Sequence, residues 1–307
     1  MRNMLSAMFG GLAAAVILGG PSIALADHWQ QPTGWGPAVP EAAVNTAGFA
    51  EGCPIETPDG LSLVIASTRS GLGLNDIWAA DRMSIDSPFR EPRKLGPPVS
   101  QDTSSDFCPL PAFGRSLFFV STRVGGCGVS AGDIYYTRQS PADGWSDPVN
   151  LGCAPSGPNT SGAEFSPSIV ETWYGTFLFY SSDGGAGDQD IYVSTRRSDG
   201  TFGPGRVVES LSSEQDDFMP NVRVRENGSL EVVFNSNRPT WGRRAQPAFG
   251  GQDVYTSTSW WAFGYWASPT NLGPNVNTTS SETRATLSGD GKRLHFGRDG
   301  DIYVSER

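Results

Sequence analysis

Five acidic residues recur at intervals of some tens of residues, and each opens a short segment that often contains a proline three positions later. They are Glu51, Asp106, Glu164, Asp217 and Glu282. Carboxylates paired at one end of a fold can hydrolyse glycosidic bonds, with the two carboxyl groups roughly 5 Å apart for retention and roughly 6.5–9.5 Å apart for inversion. The same carboxylates can instead form ion pairs with arginine. The repeat therefore indicates either a catalytic set or a structural one.

Arginine residues distinguish these two interpretations. Four of the five copies carry one further along the repeat, at Arg69, Arg123, Arg238 and Arg298. An adjacent cation holds a carboxylate in its ionised form, whereas a general acid needs a raised pKa. The acid and the arginine recur together in nearly every copy, so a structural role, in which they hold the blades together, is favoured. The alternative is a charged binding surface, in which Arg69, Arg123 and Arg238 would contact the ligand.

The third copy departs from this pattern, because Ser182-Asp183 stand where the other copies have arginine. Glu164 is then the acid to examine, and if the chain is an enzyme the catalytic candidates are Glu164, Asp183 and Asp217. Asp188 and Asp190 follow closely, which leaves an acidic group without an evident counter-charge. Oxygen ligands of this kind suit Ca²⁺, so Glu164, Asp183, Asp188 and Asp190 are a candidate calcium site, and a solvated acidic turn is the alternative.

Two aromatic segments in the fourth copy are candidates for recognition. The loop 239–252 is the longest in the chain, and loops of this length are uncommon unless functional or disordered. Tryptophan and arginine are typical of binding hot spots. The ligand-binding candidates in this loop are Trp241, Arg243, Arg244 and Phe249. An insertion that only packs on the fold is the alternative, and the aromatic run 260–266 is expected on the opposite face.

The elements that position these residues are predicted to be strands. Runs of β-branched and aromatic residues opened by aspartate favour strand over helix, and they recur at 76–80, 133–137, 190–194, 253–257 and 301–305. Each copy contains three further strand-like segments separated by turns such as Asp59-Gly60 and Asn227-Gly228. A repeat of four antiparallel strands is the blade of a β-propeller.

The last copy ends after its third strand, and the missing strand is found at the other end of the chain. Residues 35–46 match residues 266–278 closely. We therefore predict an all-β, five-bladed β-propeller that the N-terminal strand closes. The predicted blades are 50–100, 101–157, 158–212, 213–276 and 277–307, with 27–49 as the outer strand of the last blade and its link.

Residues 1–26 have the features of a secretory signal, namely a positive start, an apolar run and the ending Ala24-Leu25-Ala26. The mature domain is therefore predicted to be 27–307. A retained membrane anchor is the alternative.

Four cysteines in an exported chain favour two disulfides, Cys53–Cys108 and Cys127–Cys153, with reduced thiols as the alternative. A net charge of −10 disfavours a nucleic-acid partner or an anionic membrane.

The repeat, read as acid-x-x-Pro, Asp-Gly, Ser-x-Arg, Asp-Ile-Tyr, Trp-x-x-Pro and Leu-Gly, resembles the WD-like propeller repeats of the TolB-like group of bacterial envelope proteins. The resemblance covers the mature chain but not the additional N-terminal domain of TolB. It implies a periplasmic or secreted, monomeric, non-catalytic module that binds an envelope protein or a glycan. The alternative is a glycoside hydrolase of the five-bladed arabinanase or invertase kind, with its carboxylates in the central funnel.

Overall fold

The computed structural model describes residues 34–72, 74–128, 132–184, 187–238 and 248–307. In these ranges the chain forms five antiparallel β-sheets arranged as the blades of a propeller, which confirms the predicted fold. No described segment is a helix of the length and apolarity needed to cross a bilayer. The predicted signal segment 1–26 lies outside the described residues and stays a prediction.

Each blade runs outward from an inner strand to a short outer strand. Blade one contains β2 (Glu51–Glu56), β3 (Ser62–Ser67), β4 (Asp76–Asp81) and β5 (Arg93–Lys94). Blade two contains β6 (Asp106–Ala112), β7 (Ser116–Ser121), β8 (Asp133–Ser140) and β10 (Val149–Asn150), and β9 (Gly144–Trp145) adds a short pairing to β8.

The remaining blades repeat this order. Blade three contains β11 (Glu164–Thr172), β12 (Gly175–Ser182), β13 (Asp190–Thr195) and β14 (Arg206–Val207). Blade four contains β15 (Asp217–Val224), β16 (Leu230–Ser236), β17 (Asp253–Ser259) and β18 (Thr270–Asn271). Blade five contains β19 (Glu282–Leu287), β20 (Arg293–Arg298) and β21 (Asp301–Glu306), and its outer strand is β1 (Val39–Pro40).

The ring is closed by pairing of the two ends of the chain, as the sequence predicts. Val39 lies opposite Val304 in the antiparallel register of β1 and β21. Asn45 donates to and accepts from the backbone of Ile302, at 2.9 and 2.7 Å. β1 therefore covers the outer edge of β21, which would otherwise be open to edge-to-edge association.

The apolar core lies between the blades, on both faces of the second and third strands. Leu63, Phe119, Phe179, Phe234 and Phe296, one from each second strand, are fully buried. Burial on both faces explains why the sequences of these strands are continuous apolar runs and do not alternate between apolar and polar residues. Each sheet is thus held by its neighbours, and the inner strands are left to surround the central axis.

Every inner strand carries a bulge at the same place. The third residue of each has a positive φ between 44° and 56°, and the pairing register shifts there. These residues are Cys53, Cys108, Ser166, Met219 and Arg284. A bulge bends its strand and re-aims a side chain, so one residue from each blade is presented near the axis at a common level.

Both predicted disulfides are confirmed. Cys53–Cys108 joins the inner strands of blades one and two, with the Cα atoms 4.7 Å apart, and Cys127–Cys153 lies within blade two, with the Cα atoms 5.4 Å apart. Two disulfides are consistent with an extracellular or secreted protein, because such bonds persist in oxidising compartments.

Candidate functional site

The five acids that open the inner strands form a buried ring at one face of the propeller, which we call the ring face. Four of them are paired with arginine, with oxygen-to-nitrogen distances between 2.5 and 2.9 Å. The pairs are Glu51–Arg69, Asp106–Arg123, Asp217–Arg238 and Glu282–Arg298. All four carboxylates are buried. Burial raises the pKa of Glu282, against the opposing effect of hydrogen bonds from Thr278 and Arg298.

The ring arginines also bond the backbone of the preceding link. The Nη2 group of Arg123 donates to the carbonyl of Val99 at 2.8 Å, and its guanidinium lies 5.0 Å from the ring centroids of Phe119 and Tyr135. The same arrangement recurs for the other three arginines. Arg69, Arg123 and Arg238 therefore make their ion pairs and hydrogen bonds within the fold. Little of their side chains is exposed to contact a ligand.

Blade three replaces the arginine with a tyrosine. In the pairing register Glu164 lies opposite Ser182, so Gly184, one residue beyond Asp183, occupies the arginine position. The Tyr180 hydroxyl donates to the carbonyl of Pro158 at 2.9 Å, the bond that an arginine makes in the other blades. A side chain at Gly205 would overlap this hydroxyl, so the glycine leaves room for it. A neutral donor thus fills the place of a cation.

Glu164 is consequently a buried acid that has no counter-charge within the described ranges. Its Oε1 accepts from Thr160 at 2.6 Å and from Ser182 at 2.7 Å, and its Oε2 has no partner in the described part of the chain. Burial raises the pKa of Glu164 to about 7, against the opposing effect of these two hydroxyl donors. The carboxyl is therefore largely protonated below neutral pH, which is the state a general acid requires.

The acids predicted as calcium ligands do not come together as a cluster. No group of three or more His, Cys, Asp or Glu side chains suited to a metal ion occurs in the described ranges. Asp183 accepts from the Ala163 amide at 3.0 Å, and Asp188 is exposed. Burial raises the pKa of Asp190, and the Ser212 hydroxyl opposes this shift. The calcium site remains a prediction without a ligand set in this structure.

The long loop of blade four is only partly described. Trp241, Arg243 and Arg244 lie outside the described residues, so their predicted role in binding stays a prediction. Phe249 is half-buried, and its amide donates to Asp253 at 2.9 Å. This contact anchors the end of the loop to the start of β17.

A wide funnel opens at the opposite face, where the inner strands end in hairpins, and we call this the hairpin face. It is a cavity of about 720 Å³ with an apolar floor that includes Ile55, Leu110 and Ile169. Its polar lining includes Glu171 and two exposed arginines, Arg138 and Arg196. This cavity could not be predicted from the sequence, because hairpin turns of varied composition surround it and no repeated motif marks it.

Exposed aromatic rings lie at the hairpin face where blades three and four meet, and we call Trp173, Trp261 and their aromatic neighbours the aromatic rim. Trp173, which is 86% exposed, lies in the β11–β12 hairpin directly between the lining residues Glu171 and Thr176. Its ring centroid is 5.9 Å from that of Trp261 in an edge-to-face arrangement. The Tyr174 hydroxyl accepts from the amide of Ala262 at 2.9 Å, which fixes the two hairpins to each other. The run 260–266 thus lies on the face that the sequence predicts.

No protein-family model matches the chain. No curated protein matches it either. Solved structures do. An α-L-arabinofuranosidase from Podospora anserina is similar with a TM-score of 0.56 at 12% identity, over 89% of this chain and 96% of that one. An α-L-arabinofuranosidase from Lactobacillus brevis gives a TM-score of 0.54 at 12% identity, over 87% and 93%. A thermostable family-43 glycoside hydrolase gives 0.51 at 11% identity, over 84% and 89%. At these identities the likeness shows the fold.

These similarities correct two expectations. The resemblance to the TolB-like group is contradicted, because the similar structures are five-bladed glycoside hydrolases and no family model supports the assignment. The non-catalytic envelope module inferred from that resemblance is overturned with it. The repeat motifs describe how blades are built, and unrelated functions share that construction.

Proposed function

We propose that the protein is an exported glycoside hydrolase in which Glu164 is the proton donor. The observation that carries this proposal is that Glu164, alone among the five buried ring acids, has no bonded guanidinium in the described part of the chain, and that burial raises its pKa to about 7. A carboxyl group whose pKa is raised towards neutral by its surroundings is suited to donate a proton in a glycosidase. The similar folds of arabinofuranosidases support the same class.

Asp183 is the proposed general base. It is partly exposed, and its Oδ1 accepts from the amide of Ala163, the residue before Glu164, so the two acids share one part of the ring face. Glu164 would protonate the glycosidic oxygen as its bond to the anomeric carbon breaks. Asp183 would take a proton from the water whose oxygen replaces it. Asp217, the third candidate, is held in its pair with Arg238 and is left out of this scheme.

This mechanism places a requirement on the substrate complex. The Glu164 side chain is fully buried, and its Oε2 has no hydrogen-bond partner among the described residues. The rim of the ring face around Glu164 must therefore open when a saccharide binds. The bond to the glycosidic oxygen would then satisfy Oε2.

Glu164→Gln is the test of this assignment. We expect hydrolysis of arabinan, arabinoxylan or xylan fragments by the unaltered chain, and a loss of about 10²-fold or more in kcat/KM in the variant, because an amide cannot donate this proton. Activity of the unaltered chain should also fall as the pH rises through about 7, as Glu164 ionises.

The matched control is Glu171→Gln, which makes the same change in the funnel at the hairpin face. Retained activity in this variant supports the assignment. Loss of activity in Glu171→Gln with retention in Glu164→Gln would place the chemistry in the funnel instead. Absence of hydrolysis on every polysaccharide tested would refute the enzyme.

We further propose that the aromatic rim holds a glycan chain away from the reacting bond. Aromatic faces stack on the apolar faces of sugar rings, and Trp173 is held edge-to-face by Trp261 with most of its surface exposed. Trp173→Ala is expected to weaken binding of a soluble polysaccharide about tenfold, which corresponds to roughly 1.4 kcal/mol. Affinity electrophoresis measures this change.

The control for this prediction is Phe49→Ala, which removes an exposed aromatic ring from the link that precedes β2 at the ring face. It should leave the affinity for the polysaccharide unchanged. Equal affinities of Trp173→Ala and the unaltered chain would exclude the aromatic rim as a binding surface, whatever the outcome at Glu164.

A further inference from the structure

The floor of the funnel at the hairpin face is built by one aliphatic side chain from each of the five inner strands. These residues are Ile55, Leu110, Ile169, Val222 and Leu287. Four of them are more than nine-tenths buried, and Ile169 is half-buried. Because all five line the same cavity, they form one apolar surface at its bottom.

Hydrogen bonds between blades hold this floor in place and engage two of its amides. The Val222 amide of blade four donates to the Ser168 hydroxyl of blade three at 2.8 Å. The Leu287 amide of blade five donates to the side-chain oxygen of Asn221 in blade four at 2.9 Å. A saccharide on this surface would bury hydroxyl groups against aliphatic carbon, which is unfavourable. The floor therefore suits a hydrocarbon.

An aromatic wall continues the apolar surface between blades two and three. The rings of Phe118 and Phe202, one from each blade, lie edge-to-face with their centroids 6.3 Å apart, and Tyr136 packs on Phe118 at 4.8 Å. All three line the cavity together with Leu151. The volume of about 720 Å³ is typical of sites for small organic ligands. A flexible chain could follow this surface from the floor to the wall.

Two exposed arginines in the lining carry charges that no acid of the described residues balances. They are Arg138 in blade two and Arg196 in blade three. The Nε group of each donates to a loop carbonyl at 3.3 Å, that of Gly114 or Gly200. Neither guanidinium forms an ion pair within the described ranges. Both can therefore bond an anionic group on a ligand.

The other charged groups of the lining leave an excess of positive charge. Arg223 bonds Glu231 at 2.6 Å, and Glu56 bonds Arg293 at 2.8 Å. Glu171 is the one lining acid without an ion pair in the described part of the chain. Two free cations thus face one free acid, in a chain whose net charge is −10. The cavity therefore favours a ligand with a negative charge.

We propose that the funnel at the hairpin face binds a single-chain alkyl carboxylate, that is, a fatty acid. Its hydrocarbon chain would lie on the aliphatic floor and the aromatic wall. Its carboxylate would accept hydrogen bonds from Arg138 or Arg196, whose exposed side chains lie towards solvent. The site is on the face opposite Glu164, and the proposal does not depend on hydrolase activity.

Calorimetric titration with octanoate, decanoate and dodecanoate, each below its micellar concentration, tests the apolar part of the site. The affinity should rise about fourfold for each added methylene group, because each one removes further apolar surface from water. Decyltrimethylammonium has an alkyl chain like that of decanoate and the opposite charge. It should bind about tenfold more weakly than decanoate, or less tightly still.

The double variant Arg138→Gln, Arg196→Gln tests the charged part of the site. Its affinity for decanoate should fall about tenfold, because the carboxylate loses its charge-assisted hydrogen bonds. The matched control is Arg206→Gln, Arg225→Gln, which removes two exposed arginines that do not line the cavity. The control should bind decanoate as the unaltered chain does. Equal affinities of the two double variants would overturn the proposal.

A crystal soak locates the ligand without any variant. Crystals of the unaltered chain soaked in ω-bromodecanoate should show the anomalous peak of bromine in van der Waals contact with Ile55, Leu110 or Ile169. A bromine peak outside the funnel would overturn the proposal. An affinity that does not depend on chain length, or no binding of any of the three carboxylates, would overturn it as well.

Discussion

Replacing Glu51 by glutamine is expected to lower the free energy of unfolding by about 3–5 kcal/mol at pH 8, because it leaves a buried charge without its partner. In the folded chain Arg69 bonds Glu51 at 2.9 Å and the carbonyl of Val44 at 2.6 Å, and both charged groups are largely buried. A glutamine amide has nearly the shape of the carboxylate but not its charge. Denaturant unfolding, with the midpoint and slope both recorded, measures the difference.

The same substitution at Glu164 is expected to have the opposite sign at that pH. Above its pKa of about 7 the Glu164 carboxylate is ionised, and no cation of the described residues bonds it, so the neutral amide of Glu164→Gln should stabilise the chain. At pH 5, where the carboxyl is protonated, the two forms should be nearly equal in stability. The two variants make one chemical change at equivalent positions of two blades, so each is the control for the other.

A destabilisation of similar size in both variants would contradict this account. It would mean that Glu164 has a counter-charge after all, or that hydrogen bonds from Thr160 and Ser182 alone decide the stability of the site. Glu51→Gln that unfolds no more readily than the unaltered chain would show that the buried pairs contribute little.

The fold could be predicted because its determinants are local and repeated. The aspartate that opens each third strand, the turn residues and the match between 35–46 and 266–278 all lie within short windows of sequence. Ring closure followed from counting strands, and the structure confirms it in the pairing of Val39 with Val304. The Cys53–Cys108 disulfide could be predicted because the two cysteines occupy the same position on the inner strands of adjacent blades.

The chemistry of the site could be predicted only in part, because it depends on contacts between residues that are distant in sequence. The absence of arginine in blade three was visible, and it identified Glu164. The substitution of Tyr180 for that arginine was not visible, because it requires the register that brings its hydroxyl to Pro158. The burial of Arg284 was not visible either, because it depends on contacts with the inner strand of another blade, such as the bond to the carbonyl of Pro167.

Two buried groups with shifts of opposite sign are expected to shape the pH dependence of stability, and this is the second large effect. Burial raises the pKa of Glu164 from 4.5 to about 7. Burial lowers the pKa of His295 from 6.5 to about 4, against the opposing effect of Glu56. His295 is 1% exposed, with its Nε2 3.9 Å from Glu41 and its Nδ1 3.8 Å from Glu56. Each shift spans about 2.5 pH units, or about 3 kcal/mol.

The two contributions should nearly cancel in the unaltered chain. The stability from Glu164 is complete below pH 4.5 and is lost as the pH rises through about 7, because the unfolded chain releases this proton first. The stability from His295 is complete above pH 6.5 and is lost as the pH falls through about 4, because the unfolded chain binds this proton first. Between pH 4.5 and 6.5 their slopes are equal and opposite.

In each variant the pH dependence of stability should therefore come from the one residue of the pair that remains. Relative to the unaltered chain, Glu164→Gln should gain about 3 kcal/mol of stability as the pH rises from 4.5 to 7, since the loss from Glu164 is removed. His295→Gln should lose about 3 kcal/mol relative to the unaltered chain over pH 4 to 6.5, since the gain from His295 is removed. Unfolding free energies at half-unit pH intervals measure both differences. Parallel profiles for the three proteins would show that neither group titrates with a shifted pKa, and would remove the basis for Glu164 as a proton donor near neutral pH.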